Sequence, residues 1–208
     1  MLLNSEDCQL VLVDYQLRLM PVILENERVV ANAVRLARMA HLLQVPVWGT
    51  EQTPDKLGAS VEEVRAAIEA SGGRTLHKSH FSAMVDGLGD WLRPPVRKSQ
   101  QQGGNARSLP KHLQKPVAEP EQGKNTIVLA GCEAHICLLQ TALDLLEEEF
   151  EVWVVTDACS SRTERNRDAA FDRLAGNGAE LVTTEMVAFE WLRSADHPDF
   201  KDVLGLVK

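Results

Sequence analysis

Asp14, Lys78 and Cys137 each stand at, or just beyond, the carboxyl end of an apolar run, which is where the strands of an open α/β sheet present side chains to a ligand. A carboxylate, an ammonium and a thiol brought to one sheet edge make a nucleophilic site. The carboxylate takes the thiol proton, the ammonium steadies both anions, and backbone N–H groups at a helix start bind the oxyanion formed when a carbonyl carbon is attacked. The expected chemistry is acyl transfer. The run before Cys137 breaks at Gly131 and a helical pattern follows within a few residues. The thiol therefore lies near a first turn, whose unpaired N–H groups and partial positive charge favour a thiolate. On a helical wheel Cys137 aligns with Thr141, Asp144 and Glu148, while Ile136, Leu139, Leu143 and Leu146 form the apolar face, so the thiol is expected on a polar stripe. Taken singly, a free cysteine is usually a buried hydrophobe, an aspartate can simply end a strand, and an isolated lysine is a surface residue. Their joint placement carries the reading.

Strands alternating with helices must position these residues. Residues 10–13 form a short apolar run ending in Asp14, and 29–43 then carry apolar side chains at helical spacing. Further strands are expected at 45–48, 75–78, 125–130, 151–156 and 180–183. Helices are expected at 60–70, 86–92, 135–148, 162–176 and 184–192, with a tail that packs Phe200, Val203 and Leu206. Ser60 with Glu63 reads as a capping box, and Gly72-Gly73 as the stop of the same helix. Continuous rather than alternating apolar strands predict a parallel sheet covered on both faces. The expected fold class is α/β, a three-layer α/β/α sandwich with a six-stranded, mostly parallel sheet in the order 3-2-1-4-5-6. In that order strand three lies two strands from strand one, roughly 10 Å away at about 4.8 Å per step, so Lys78 must reach inward.

A chain of 208 residues, 44% hydrophobic, is long enough for one core and too short to favour two, giving a single domain over 1–208. The start lacks a basic region followed by an apolar stretch, and no segment approaches a membrane span. A soluble cytoplasmic protein with no membrane partner is expected. The formal charge of −8 argues against nucleic acid as a partner. One stretch departs from the pattern, an irregular basic excursion at about 93–124 that includes Arg93, Arg97, Lys98, Arg107, Lys111 and Lys115. It reads as a solvated loop, or as a lid or subunit contact near an anionic substrate. Its lack of aromatic residues argues against binding to nucleic-acid bases.

Cys8, Cys132, Cys137 and Cys159 lack scaffold-like spacing and fit reduced thiols. Cys8 and Cys159 read as structural. Cys132 could resolve a peroxide-oxidised Cys137, but their separation is not the C-x-x-C spacing. His77 and His80 flank Lys78 without a metal-ligand pattern, and the phosphate-loop and G-x-G-x-x-G patterns are absent. No metal and no cofactor is expected.

Leu12-Val-Asp14-Tyr-Gln16, Lys78-Ser-His-Phe81-Ser-Ala and Gly131-Cys-Glu-Ala-His-Ile-Cys137 with Thr141-Ala142 occur in order along the chain. Together with Val154-Val-Thr-Asp157-Ala-Cys-Ser-Ser161 they resemble the isochorismatase-like cysteine hydrolases over essentially the whole sequence. The resemblance implies Cys137 as nucleophile, Asp14 as base and Lys78 as the orienting cation. It also implies a non-proline cis peptide at Cys132–Glu133 and an oxyanion hole made by the N–H groups of Glu133 and Cys137. Gln16, Gln52, Phe81 and His135 are the substrate-pocket candidates. Nicotinamidases of this superfamily carry an Asp and several His after the second strand, where this chain has Thr50-Glu-Gln-Thr-Pro-Asp-Lys-Leu-Gly58. Nicotinamidase activity is therefore not expected, and neither is isochorismatase activity, since no residues identify an isochorismate pocket. The chain looks most like a small single-domain subgroup, implying a metal-independent hydrolase of a small amide-like substrate. By analogy with family members it is a homo-oligomer, a dimer or larger. A non-catalytic small-molecule or protein-binding module on the same fold is the alternative.

Overall fold

The structure, a computed structural model, describes residues 1–94 and 124–208. Most of the basic excursion thus lies outside the described residues. Six strands, β1 (Cys8–Val13), β2 (Val47–Gln52), β3 (Arg74–Lys78), β4 (Thr126–Gly131), β5 (Glu151–Val155) and β6 (Glu180–Val182), form one sheet in the order β3-β2-β1-β4-β5-β6. Every neighbouring pair is parallel. The expected order is correct, and the sheet is wholly rather than mostly parallel. All six residues of β1 and all six of β4 are buried, as central strands covered on both faces require. Each fully buried Leu, Ile or Val there contributes about 1.5–3 kcal/mol of hydrophobic stabilisation.

The helices flank the sheet in two groups. α1 (Asn26–Leu42), α3 (Glu62–Ala70), α7 (Thr184–Leu192) and α8 (Phe200–Val207) belong to one, while α5 (Leu139–Glu147) packs with α6 (Glu164–Gly176) in the other. α1 shows why such helices form: Val29, Ala33, Leu36, Ala37 and Ala40 recur at helical spacing and are all buried. The short α2 (Pro54–Leu57) and α4 (Leu88–Leu92) sit in the connections around β3. Among the described residues no helix is long and apolar enough to cross a membrane.

Three local expectations are corrected. β2 continues to Gln52 instead of ending at residue 48, because its polar end finds partners: Thr50 bonds Asp14, Glu51 accepts from Ser60, and Gln52 meets Lys78 and Gln16. Ser60 does not cap a helix. α3 starts at Glu62 after Val61 with no side-chain cap, and the buried Ser60 N–H donates to Glu51 Oε1 at 2.7 Å. The segment expected as one helix over 135–148 begins instead with a single π turn, Ala134–Leu138, before α5. The first part of its supposed polar stripe faces inward, while Glu148 at its end is exposed and Leu139 of the apolar face is buried. Cys137 and Thr141 are buried and Ile136, Leu143 and Leu146 are half-buried, because the loop after β3 supplies partners: Thr141 Oγ1 accepts the Ala83 N–H and Asp144 accepts the Ser82 hydroxyl.

β1 and β4 approach most tightly at Val13 and Gly131, which are register partners. A Cβ on Gly131 would stand 2.3 Å from the Val13 carbonyl oxygen, and φ there is +154°. Only glycine fits, and the chain can then turn directly from β4 into the Cys132–Cys137 segment.

Candidate active site

Asp14 follows β1 in a left-handed conformation (φ 55°), with its N–H bonded to the Thr50 carbonyl and its side chain fully buried. Oδ1 accepts the Thr50 hydroxyl at 2.7 Å. Lys78 ends β3, two strands away, and its buried side chain reaches inward until Nζ stands 2.7 Å from Asp14 Oδ2. The side chains thus bridge the separation that the strand order imposes.

The ammonium has further acceptors around it. Nζ donates to Gln52 Oε1 at 2.7 Å, to the Phe81 carbonyl at 3.0 Å and to the His80 carbonyl at 3.3 Å. Asp14 Oδ2 is thus engaged by the Lys78 ammonium as a fully buried ion pair, and no other donor reaches it among the described residues.

The Cys137 thiol is coupled electrostatically to both Asp14 and Lys78. Burial pushes it up to about 12, the Asp14 carboxylate acts in the same direction, and the Lys78 ammonium opposes them. The thiolate expected at a helix start is therefore not the resting form. If Asp14 acts as the base that the sequence predicts, the proton passes within the site and changes no net charge. Alkylation of Cys137 by iodoacetamide should accordingly stay level from about pH 6 to about pH 9, since the proton moves within a coupled pair. In Asp14→Asn the acceptor is gone, so the rate should become pH-dependent and climb as the thiol itself ionises, at a pH lowered by the loss of the carboxylate that helps raise it. A level profile in that variant would remove Asp14 as base. Quantitative mass spectrometry of the labelled peptide reads both.

The Cys132–Glu133 peptide is cis. The Glu133 N–H has no acceptor among the described residues, whereas the next N–H, of Ala134, donates to the Ser160 carbonyl at 2.8 Å. The substrate-pocket candidates divide. Gln16 is fully buried, and its amide ties the Gln52 and Gly58 backbones together, which makes it a brace. Gln52 holds Lys78 through its oxygen and the Ser79 carbonyl through its nitrogen. The Phe81 ring is exposed while its carbonyl accepts from Lys78. His135 is half-buried with Nδ1 2.9 Å from Ser161 Oγ.

Residues that sequence reasoning missed are Thr50, which orients Asp14, Asp86, whose carboxylate accepts the Ser79 and His80 N–H groups of the loop holding Lys78, and Arg162, which pairs with Glu133. Thr50 could have been found, since it lies across from Val13 in the β1–β2 register, next to Asp14. All four cysteines are free and buried. Among the described residues no three His, Cys, Asp or Glu side chains gather as metal ligands. Glu51, the acidic residue at the end of β2, is committed to the Ser60 N–H and to His77. A surface groove of about 1450 Å³ between α1, α3 and α8 contains none of the three catalytic candidates.

A profile of the isochorismatase domain matches residues 8–186. The chain belongs to the isochorismatase family. The rat isochorismatase domain-containing protein 2 (Rattus norvegicus) is 34% identical over 203 residues, which cover 98% of this chain and 82% of that protein. Among solved structures, one described as the MAR1 ribonuclease of Caenorhabditis elegans has a TM-score of 0.82 at 28% identity, covering 100% of this chain and 92% of the other. The YcaC gene product of Escherichia coli, described as an octameric hydrolase of unknown specificity, shares the fold with a TM-score of 0.74 at 23% identity, covering 99% and 95%. These likenesses give the isochorismatase-family chain a hydrolase-type fold and leave its substrate open.

Proposed function

We propose that this isochorismatase-family chain is a metal-independent cysteine hydrolase acting on a small amide or related acyl compound. The observation that carries the reading is the fully buried Asp14–Lys78 ion pair at 2.7 Å, coupled to a thiol that burial holds protonated. As the sulfur bonds to the acyl carbon, the thiol proton passes to Asp14 Oδ2 and the carbonyl π electrons move onto oxygen. The N–H groups of Glu133 and Cys137 bind the resulting oxyanion. Collapse breaks the bond to the leaving nitrogen, which takes the proton from Asp14, and a thioester remains on Cys137. Water then attacks, giving a proton to Asp14, and the released thiol recovers it. Lys78 transfers no proton. Its ammonium pairs with Asp14 at 2.7 Å and favours negative charge on the sulfur.

The worm neighbour's description as a ribonuclease is not carried to this chain. The buried Lys78 is already paired with Asp14, and the formal charge of −8 disfavours a polyanionic substrate. The test is a trapping experiment. Brief exposure to p-nitrophenyl acetate, followed by acid quench, should place one acetyl group on Cys137, removable by hydroxylamine, and a panel of small amides and ureides should then identify turnover. Acetylation spread over all four cysteines, or turnover that persists in Cys137→Ala, would favour a binding module on the same fold.

A further inference from the structure

Three consecutive residues after β5 clamp the turn that carries the proposed oxyanion donors. Cys132 pairs in parallel with Ser160, the Ser160 carbonyl accepts the Ala134 N–H at 2.8 Å, and Ser161 Oγ lies 2.9 Å from His135 Nδ1. The third contact is ionic. Glu133 is buried, and its Oε2 accepts both the backbone N–H of Arg162 at 3.1 Å and the guanidinium Nε at 3.0 Å. Arg162 itself is more than half exposed. A buried carboxylate held by a charged, partly hydrogen-bonding partner has a fixed position, and Glu133 contributes the same residue's N–H, unpartnered among the described residues, to the site.

We propose that Arg162 is a positioning residue for the oxyanion site. It fixes the Glu133 carboxylate and through it aims the Glu133 backbone N–H at the acyl oxygen. The inference rests on the cysteine-hydrolase reading and assigns a role to a side chain that touches none of Asp14, Lys78 and Cys137. Without the guanidinium, the Glu133 side chain keeps only the Arg162 backbone N–H. The turn then has freedom to swing its donor away from the developing charge, while the thiol and its proton acceptor stay where they are.

Two thiol reagents on the full chain separate these effects. p-Nitrophenyl acetate acylates Cys137 through a tetrahedral oxyanion, whereas iodoacetamide alkylates it by displacement at a saturated carbon, where no oxyanion forms. Arg162→Ala should slow acetylation about tenfold or more while alkylation proceeds at the wild-type rate, a displaced donor costing less than the 10²–10³ of a deleted one. Glu133→Gln, which keeps the N–H and the side-chain shape, should show the same selective fall. The double variant should fall no further, because the two residues act as one unit. Arg162→Lys should recover part of the loss, a point charge replacing an oriented guanidinium. Equal falls in acetylation and alkylation would make Arg162 structural and overturn the proposal, as would acetylation at the wild-type rate. Absence of acetylation at Cys137 in the unsubstituted chain overturns the hydrolase reading together with this one, and it shows before any Arg162 variant is made.

Discussion

Turnover of any amide or ester that proves to be a substrate should fall by about 10⁴-fold or more when Cys137 is replaced by alanine, the usual cost of deleting a nucleophile. The fold should survive, since the substitution removes one sulfur from a buried site and its stability cost is limited to a small cavity, about 1 kcal/mol. Cys137→Ser should be nearly as inactive. The hydroxyl keeps an acceptor for its proton in Asp14 Oδ2 but is a far weaker acid and a poorer nucleophile, and a carboxylate is a weak base for it. Steady-state kinetics on both variants, with thermal melting as the control for folding, decide the matter. Retention of more than about one per cent of kcat in the alanine variant would end the covalent mechanism, because general-base attack by water would then suffice.

Lys78→Met should cost about 3–5 kcal/mol of stability, since it strands the fully buried Asp14 carboxylate without a counter-charge. It also removes the donor shared by Gln52 Oε1 and the His80 and Phe81 carbonyls, so the loop after β3 loses its anchor. Adding Asp14→Asn to the same chain should restore part of the loss, because the stranded charge disappears, while Asp14→Asn alone should destabilise by leaving Lys78 uncompensated. The two single effects should therefore exceed the effect of the pair together, and urea unfolding of the four proteins measures the difference. Additive losses would mean that the 2.7 Å contact carries no net coupling. The single variant should also lose Cys137 acetylation, since the cation that holds the carboxylate charged is absent.

Much of this site was legible because the information is local. Asp14 and the segment before Cys137 each follow a continuous apolar run and Lys78 ends a short mixed strand, and a parallel sheet delivers every such carboxyl end to one edge. The strand order followed from the alternation of runs and helices. What the sequence hid depends on contacts between residues far apart in the chain. The polar end of β2 reads as loop until Asp14, Ser60 and Lys78 arrive to satisfy Thr50, Glu51 and Gln52. The inward face of the helix after Cys137 reads as a solvent face until Ser82 and Ala83 meet Asp144 and Thr141. Arg162 carried no signal either, because a basic residue before a helix is ordinary until its partner, 29 residues earlier, is seen to be buried. In each case a polar side chain is placed inside by a partner that neither periodicity nor composition can name.

The geometry around Lys78 has one more consequence. At rest the buried cluster holds Asp14 negative, Lys78 positive and Cys137 neutral. On the proposed course the adduct holds a protonated Asp14, the same ammonium and one oxyanion, and the thioester stage returns the carboxylate. Each stage sums to zero. A poorly solvated interior resists any change in its total charge far more than a rearrangement of charges within it. On the proposed mechanism the centre is an electroneutral device, in which passing one proton from Cys137 to Asp14 creates a nucleophile and the surrounding apolar sheet never has to accommodate an unbalanced ion.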